Sequence, residues 1–311
     1  MKIFNEKWEV TSNLIKKDYI FCLLSDIHNT KYSTVRVWRK IIETIKNQQP
    51  DNIFIPGDIV YTADDLLSKK TREKLEYLLY GLTSIAPTYI SLGNHDFKDG
   101  KTLKAKDTLN YLKSLENDNL HLLNNEVETI NNDIIVMGFS PRFDAYYPKH
   151  REYWNRYFIE DLIEAKLKYD KNKYIILLTH SPVTIKELSD TIENMLSEET
   201  DKKELAKIEE AKKALENINL VLCGHMHNGL IPKHWQKIGL IKSDKGIAAY
   251  EGQTLRNTFR KARYCRGMYS VFNGQMIVTG GVNKWSTPSP IIGLISNIVA
   301  KDITTVCLKK K

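Results

Sequence analysis

Four cysteines in 311 residues, none in a C-x-x-C spacing, leave no framework for disulfide staples or a thiolate-bound structural zinc. Cys22 and Cys223 fall inside apolar runs, where a thiol packs as a small apolar group, and a reduced cytosolic compartment fits that usage. Residues 1–7 contain no apolar h-region, so no signal peptide is expected. The longest apolar stretch near the end, 290–300, is far short of the roughly 20 residues that span a bilayer. There is no internal repeat, no low-complexity tract and no clear linker. What is present is ordinary: 42% apolar and 27% charged residues, in a chain long enough to bury a large core in one or two domains.

Charge is unevenly placed. The formal net charge is +8, but residues 231–311 hold 14 Lys/Arg against 3 Asp/Glu, whereas residues 185–216 hold 6 against 10. The basic excess favours anionic partners such as phosphates, nucleic acid or a lipid surface, without choosing among them.

Apolar runs of strand length recur at 19–24, 52–55, 89–92, 133–139, 174–179, 220–223, 268–272 and 275–279. Several are continuous rather than alternating, as in strands buried on both faces. Helical patterns lie between the early ones. Residues 34–49 set Val35, Trp38, Ile41, Ile42 and Ile45 on one stripe that Pro50 ends, and 66–80 repeat the arrangement with Leu75, Leu78 and Leu79. Strand alternating with helix predicts an α/β layered fold. Asn273-Gly274 between the last two runs predicts a hairpin. The segment 184–217 reads as a charged helical insertion, with 198–215 an exposed helix of mixed-sign neighbours at i,i+3 and i,i+4. A sharper alternative is a cap that narrows access to a site, since it begins just after His180.

Five short motifs carry the chemistry: Asp26-Ile27-His28, Gly57-Asp58, Gly93-Asn94-His95-Asp96, His180 and Gly224-His225-Met226-His227. Each is common alone. Taken singly, Asp26 or His28 reads as a cap or turn residue and His95 as a satisfied loop histidine. All five follow strand-like runs, and the carboxyl ends of strands in open α/β sheets are where ligands bind. Carboxylate, imidazole and amide oxygen together suit Mn, Fe, Zn or Co, with Mn favoured.

The order D-x-H, G-D, G-N-H-D, H, G-H-x-H resembles the calcineurin-like metallophosphoesterase superfamily with no ligand position missing. The motifs run from Asp26 to His227, about two thirds of the chain. A weaker resemblance, to the bacterial phosphodiesterase-like branch, continues through Arg266-Gly267-Met268-Tyr269 and Val278-Thr279-Gly280-Gly281-Val282. The resemblance implies a single domain over 1–311, a four-layer αββα metallophosphoesterase sandwich with the charged helical insertion at about 184–217 and a basic segment at about 231–311. It implies two divalent metal ions: one on Asp26, His28 and His227, the other on Asn94, His180 and His225, with Asp58 bridging. Two such ions about 3.5–4 Å apart share a water and lower its pKa. The implied reaction is hydrolysis of a phosphodiester or pyrophosphate by the metal-bridging hydroxide, with His95 contacting a phosphoryl oxygen or protonating the leaving group. The alternatives are a DNA repair-type nuclease of the same superfamily and a non-catalytic metal-binding scaffold. The nuclease lacks recognisable DNA-binding additions in this sequence. The scaffold predicts eroded ligands or a replaced His95, and neither occurs.

One position departs from the pattern. Many relatives read G-D-x-x-D, the second Asp orienting the catalytic histidine; here Tyr61 stands there, with Asp64 and Asp65 as nearby candidates. The protein phosphatase patterns G-D-x-V-D-R-G and R-G-N-H-E are absent, which argues against a protein substrate. Asp96 and Asn29, beside ligands, are read as supports that hydrogen-bond or shape the loops. His121 and His150 are taken as ordinary residues; His234 is either ordinary or faces substrate. The segment 256–266, with Arg256, Arg260, Lys261, Arg263 and Arg266 and no acid, is either a solvated helix or a clamp for phosphate or an anionic lipid headgroup. Phe259 and Tyr264 give only a weak nucleic-acid signature. Trp285, the run 291–295 and the terminal Lys309, Lys310 and Lys311 read as core plus solvated tail, or as a contact with a membrane surface. The expected location is cytoplasmic, with peripheral membrane contact as a further option.

Overall fold

A computed structural model describes residues 3–146, 154–165, 170, 172–227, 264–282 and 301–311. His150, His234, Trp285, the run 291–295 and most of the basic segment 256–266 lie outside them.

The apolar runs become two six-stranded sheets. The first has the spatial order β1 (Ile3–Ser12), β12 (Lys301–Lys310), β2 (Tyr19–Leu23), β3 (Asn52–Pro56), β4 (Thr88–Ser91) and β5 (Leu120–Leu122). Strands β2 to β5 run parallel and are linked through α1 (Val35–Lys46), α2 (Lys69–Thr83) and α3 (Ala105–Ser114). The second sheet has the order β10 (Gly267–Val271), β11 (Gly274–Val278), β9 (Leu220–Cys223), β8 (Tyr174–Thr179), β7 (Ile134–Phe139) and β6 (Glu126–Thr129), and its helices are α4 (Trp154–Glu164), α5 (Pro182–Glu198) and α6 (Lys202–Glu216). In this sheet β7, β8, β9 and β11 are parallel, and β10 closes on β11 as the antiparallel hairpin that Asn273-Gly274 predicts.

Strand periodicity explains the layering, because successive side chains point to opposite faces. In β7, Ile134 and Val136 face the other sheet, while Ile135, Met137 and Phe139 face helices. In β8, Tyr174, Ile176 and Leu178 turn inward, and Ile175 and Leu177 outward. The inter-sheet core is anchored by Phe21 edge-on to Phe54, ring centroids 5.3 Å apart. Trp38, Ile41, Ile45, Leu75, Leu78 and Leu79, the stripes read from the sequence, fill the core between α1, α2 and the first sheet. The result is an αββα sandwich.

The charged segment is helical but solvated on one side only. Ile185, Leu188 and Ile192 of α5 and Ile208, Ala211 and Leu215 of α6 are buried against the second sheet, so these helices form its outer layer. Local chemistry marks their starts: Pro182 opens α5, and the Asp201 carboxylate accepts from the N–H groups of Lys203 (2.8 Å) and Glu204 (3.0 Å) at the head of α6.

Lys310 and Lys311 are exposed, as the reading of a solvated tail expects, but they stand at the end of a strand, β12, that the sequence did not reveal. It lies inside the first sheet, parallel to β1 and antiparallel to β2, with Lys301, Asp302, Thr304 and Thr305 all buried. Its polar groups are matched: Lys301 Nζ donates to Val282 O (2.6 Å), Thr304 Oγ1 to Thr279 Oγ1 (3.1 Å) and Thr305 Oγ1 to Asn5 Oδ1 (2.9 Å). Lys309 pairs with Asp18 at 2.9 Å. Arg266, assigned to the basic segment, is buried between Asp302 (3.4 Å) and Glu6 (3.6 Å), and Tyr264 packs edge-on against Tyr269. Neither is presented as part of an open basic surface.

Candidate metal centre

Parallel strands end on one rim, and both rims meet at the same place. The loops after β2, β3 and β4 carry Asp26, His28, Asp58, Asn94 and His95; those after β8 and β9 carry His180, His225 and His227. All but His95 and His227 are buried to 6% exposure or less.

These loops are tight. Asp26 (φ 54°), His28 (φ 40°), Asp58 (φ 56°), His225 (φ 71°) and His227 (φ 45°) all occupy the left-handed region, uncommon for residues with a Cβ. Such backbone persists where its surroundings over-determine it, and it clusters at functional sites. Two glycines permit the approach. Gly57 has φ +79°, and a Cβ there would lie 2.5 Å from Gly93 N and 2.9 Å from His180 Nδ1. Gly281 has φ +78°, and a Cβ there would lie 2.9 Å from the Asp26 side chain.

Six of the motif side chains converge in two overlapping groups. Asp26, His28, Asp58 and His227 form one, and Asp58, His180 and His225 the other; within each group, one ligand atom per residue lies within 4.8 Å of the rest. Asp58 belongs to both. Its Oδ2 is 3.4 Å from His28 Nε2 and 3.1 Å from His180 Nε2. The Nε2 atoms of His28 and His227 are 3.2 Å apart, and His227 Nε2 is 3.5 Å from Asp26 Oδ1. Asn94 is buried in the loop between the backbone groups of Gly93 and His95 that bind the two aspartates.

The protonation pattern fits a cation. His180 Nδ1 lies 2.6 Å from Pro56 O, which only accepts, so Nδ1 carries the proton. Its Nε2 and Asp58 Oδ2 are both buried and face each other. Two lone pairs 3.1 Å apart repel unless a proton or a metal ion lies between them. Burial lowers the His180 pKa, but Asp58 and Asp26 more than offset it, to about 9, so a proton can occupy that position. Burial drives His28 and His225 well below the ordinary imidazole value and lowers His227, leaving neutral rings whose lone pairs suit a metal. Burial works against ionisation of Asp58 too, yet the imidazoles of His180, His95 and His28 hold it well below the usual carboxylate range.

Asp96 builds the loop that carries these groups. Its carboxylate accepts four backbone N–H groups: Asp58 (2.9 Å), Ile59 (2.8 Å), Val60 (3.1 Å) and Gly93 (2.9 Å). Burial and the neighbouring Asp58 push it up to about 7, while the donors pull the other way. Asn29 donates from Nδ2 to Thr71 O (2.8 Å), tying the first motif to α2.

His95 is partly buried beside the ligand groups. Its backbone N–H donates to Asp58 Oδ1 (2.9 Å), and its Nδ1 lies 2.8 Å from the carbonyl of Tyr61. Asp64 and Asp65, the candidates for orienting it, are engaged elsewhere. Asp64 accepts the N–H groups of Lys101, Thr102 and Leu103, and Asp65 accepts the backbone N–H and the hydroxyl O–H of Thr62. His121 stands apart, 3.1 Å from Glu128. One neighbour escaped the sequence reading: buried Tyr146, whose ring centroid lies 5.9 Å from that of His225 and 6.1 Å from that of His180. No motif or period marks it.

The chain belongs to the calcineurin-like phosphoesterase family, which it matches over residues 20–229. It is 26% identical over 219 residues to an uncharacterized metallophosphoesterase of Campylobacter jejuni, and 25% identical over 217 residues to another from Helicobacter pylori. Each alignment covers 70% of this chain and 46% of the relative, so the chain spans about half the length of the curated relatives it matches. A dimetal phosphatase from Danio rerio aligns with a TM-score of 0.43 and 10% identity, covering 86% of this chain and 88% of that one; so slight a likeness carries no argument.

Proposed function

We propose that the chain is a dinuclear metal-dependent phosphoesterase. The observation that carries the reading is Asp58: one buried carboxylate shared by two groups of metal-ligating atoms where the rims of two sheets meet. Asp26, His28 and His227 would hold one ion and Asn94, His180 and His225 the other, with Asp58 between them. Carboxylate, imidazole and amide donors without thiolate suit borderline divalent ions such as Mn, Fe, Zn or Co; Mn is the ion we favour for the test. Two bound ions would supply an activated water and neutralise charge gathering on phosphoryl oxygens.

The chain's own residues then have defined tasks. Asp58 balances the charge of the ions and sets their spacing. Asp96 fixes the loop on which Asp58 and Asn94 sit. His95, the family's non-ligand histidine, stands beside the ligands; with Nδ1–H on the Tyr61 carbonyl, its Nε2 would donate to a phosphoryl oxygen or the leaving group only when it too carries a proton. Diester or pyrophosphate substrates are favoured over phosphoprotein, because the G-D-x-V-D-R-G and R-G-N-H-E patterns are missing.

Protein stripped with chelator and reloaded with Mn²⁺ tests the reading on bis-p-nitrophenyl phosphate and p-nitrophenyl phosphate. Metal-dependent diester turnover well above monoester turnover is the expected result. Monoester preference would overturn the substrate class, and failure to turn over either ester with metal bound would favour a scaffold.

A further inference from the structure

The place where relatives keep an orienting aspartate is filled here by Tyr61, and the structure gives this residue two separate contacts with His95. Its carbonyl oxygen lies 2.8 Å from His95 Nδ1, which fixes the proton on that nitrogen, since a carbonyl only accepts. Its ring stacks on the imidazole, centroids 4.7 Å apart with 27° between the planes. The imidazole meets the metal ligands from another side, edge-on to His28 at 4.6 Å and 86°. His95, the ligand ring of His28 and the Tyr61 ring thus pack as a three-ring cluster, the last two 5.8 Å apart at 67°.

Tyr61 is itself held. Val60, just before it, donates its N–H to Asp96 Oδ1 (3.1 Å), as do Ile59 to the same oxygen and Asp58 to Oδ2. The Lys98 ammonium lies 4.9 Å from the Tyr61 ring centroid, within cation–π reach. One buried carboxylate therefore fixes both the bridging aspartate and the segment that presents Tyr61. The two remaining candidates for the task, Asp64 and Asp65, bind other backbone groups.

We infer that Tyr61 is the positioning residue of His95. Its carbonyl selects the tautomer, and its ring sets the imidazole plane against the metal site. A neutral acceptor and an aromatic face do here what a carboxylate does in G-D-x-x-D relatives. The inference rests on the proposed phosphoesterase reading for its effect on rate, but its geometric content stands without it.

Two substitutions separate the contacts, since any side chain leaves the carbonyl in place. Tyr61→Leu removes the stack, and Tyr61→Phe keeps it. The first measurement is NMR of metal-free protein with ¹⁵N-labelled histidine, His95 being assigned by the loss of its signals in His95→Gln. The His95 ring protons are expected upfield in wild type and Tyr61→Phe, shielded by the stacked ring, and to move downfield in Tyr61→Leu, with Nδ1 protonated in all three. Equal His95 shifts in the three proteins would overturn the inference whatever the enzyme hydrolyses.

The second measurement is Mn²⁺-dependent hydrolysis of bis-p-nitrophenyl phosphate, with bound metal counted. Tyr61→Leu is expected to lose about tenfold in kcat with KM and metal content kept, because the ring orients His95 and touches His28 only ring to ring, without supplying a metal donor. Tyr61→Phe restores most of that loss. An equal loss in Tyr61→Phe, a loss carried by KM, or a loss of metal in Tyr61→Leu would overturn a positioning role. Wild-type protein without turnover, but with the expected proton shifts, would overturn the proposed function and leave the placement of His95 intact.

Discussion

The two halves of the site are built by different means. The half on the first sheet is knitted locally: Asp96 binds the N–H groups of residues 58, 59, 60 and 93, His28 N donates to Asp58 O (2.9 Å), and Asn29 N to Ile59 O (2.8 Å). The half on the second sheet supplies three histidines that are registered across the gap, through His180 Nδ1 on Pro56 O and the His225 N–H on the Asp26 carboxylate (3.2 and 3.1 Å to its two oxygens). The first half is a rigid loop cluster, and the second is placed by packing of the two sheets. A two-ion site at the junction of two sheets would need both, because ligand geometry tolerates little displacement.

Three substitutions break the comparison at different points. Asp58→Asn has the largest effect, since it removes the charge common to both halves. The expected loss in kcat/KM is about 10³-fold or more, several kcal/mol of transition-state stabilisation, measured on the diester with Mn²⁺ saturating. A loss below tenfold would mean that Asp58 is not shared by two ions.

Asp96→Asn breaks the first half alone. An amide directs its NH₂ at two of the four N–H donors, leaving them buried and unmatched. The expected costs are about 2–4 kcal/mol in urea unfolding and about 10- to 100-fold in activity. Unchanged stability would show that the loop is not held by this carboxylate.

Leu215→Ala is the smallest perturbation of the chemistry. Leu215 is fully buried in α6, away from the rim. The substitution is expected to cost about 2–5 kcal/mol of stability while kcat of the folded enzyme stays within about twofold. A large kcat loss would show that the second half depends on its outer helices as well as on the sheet.

Much of this was legible in the sequence, and the reasons are specific. Strands β2, β3, β4, β7, β8 and β9 are buried on both faces, so they stand out as apolar runs. Helices α1 and α2 show because one stripe meets a sheet. The motif residues show because few residue types can ligate a metal ion. Strand β12 was hidden because Lys301, Asp302, Thr304 and Thr305 are buried through pairing rather than apolarity. The outer-layer role of α6 was hidden because Ile208, Ala211 and Leu215 are few among many charges. The Tyr61 contact was hidden for a different reason: the acceptor is a main-chain carbonyl, present at every residue and aimed only by the fold.

In the proposed site the rims of the two sheets hold two ions around Asp58. The direct measurement is bound manganese per chain, after loading and desalting, in wild type, His225→Ala and His227→Ala. Two ions in wild type and about one in each variant are expected, since each histidine belongs to a different group of ligands. One ion or none in wild type, or two retained in both variants, would contradict it.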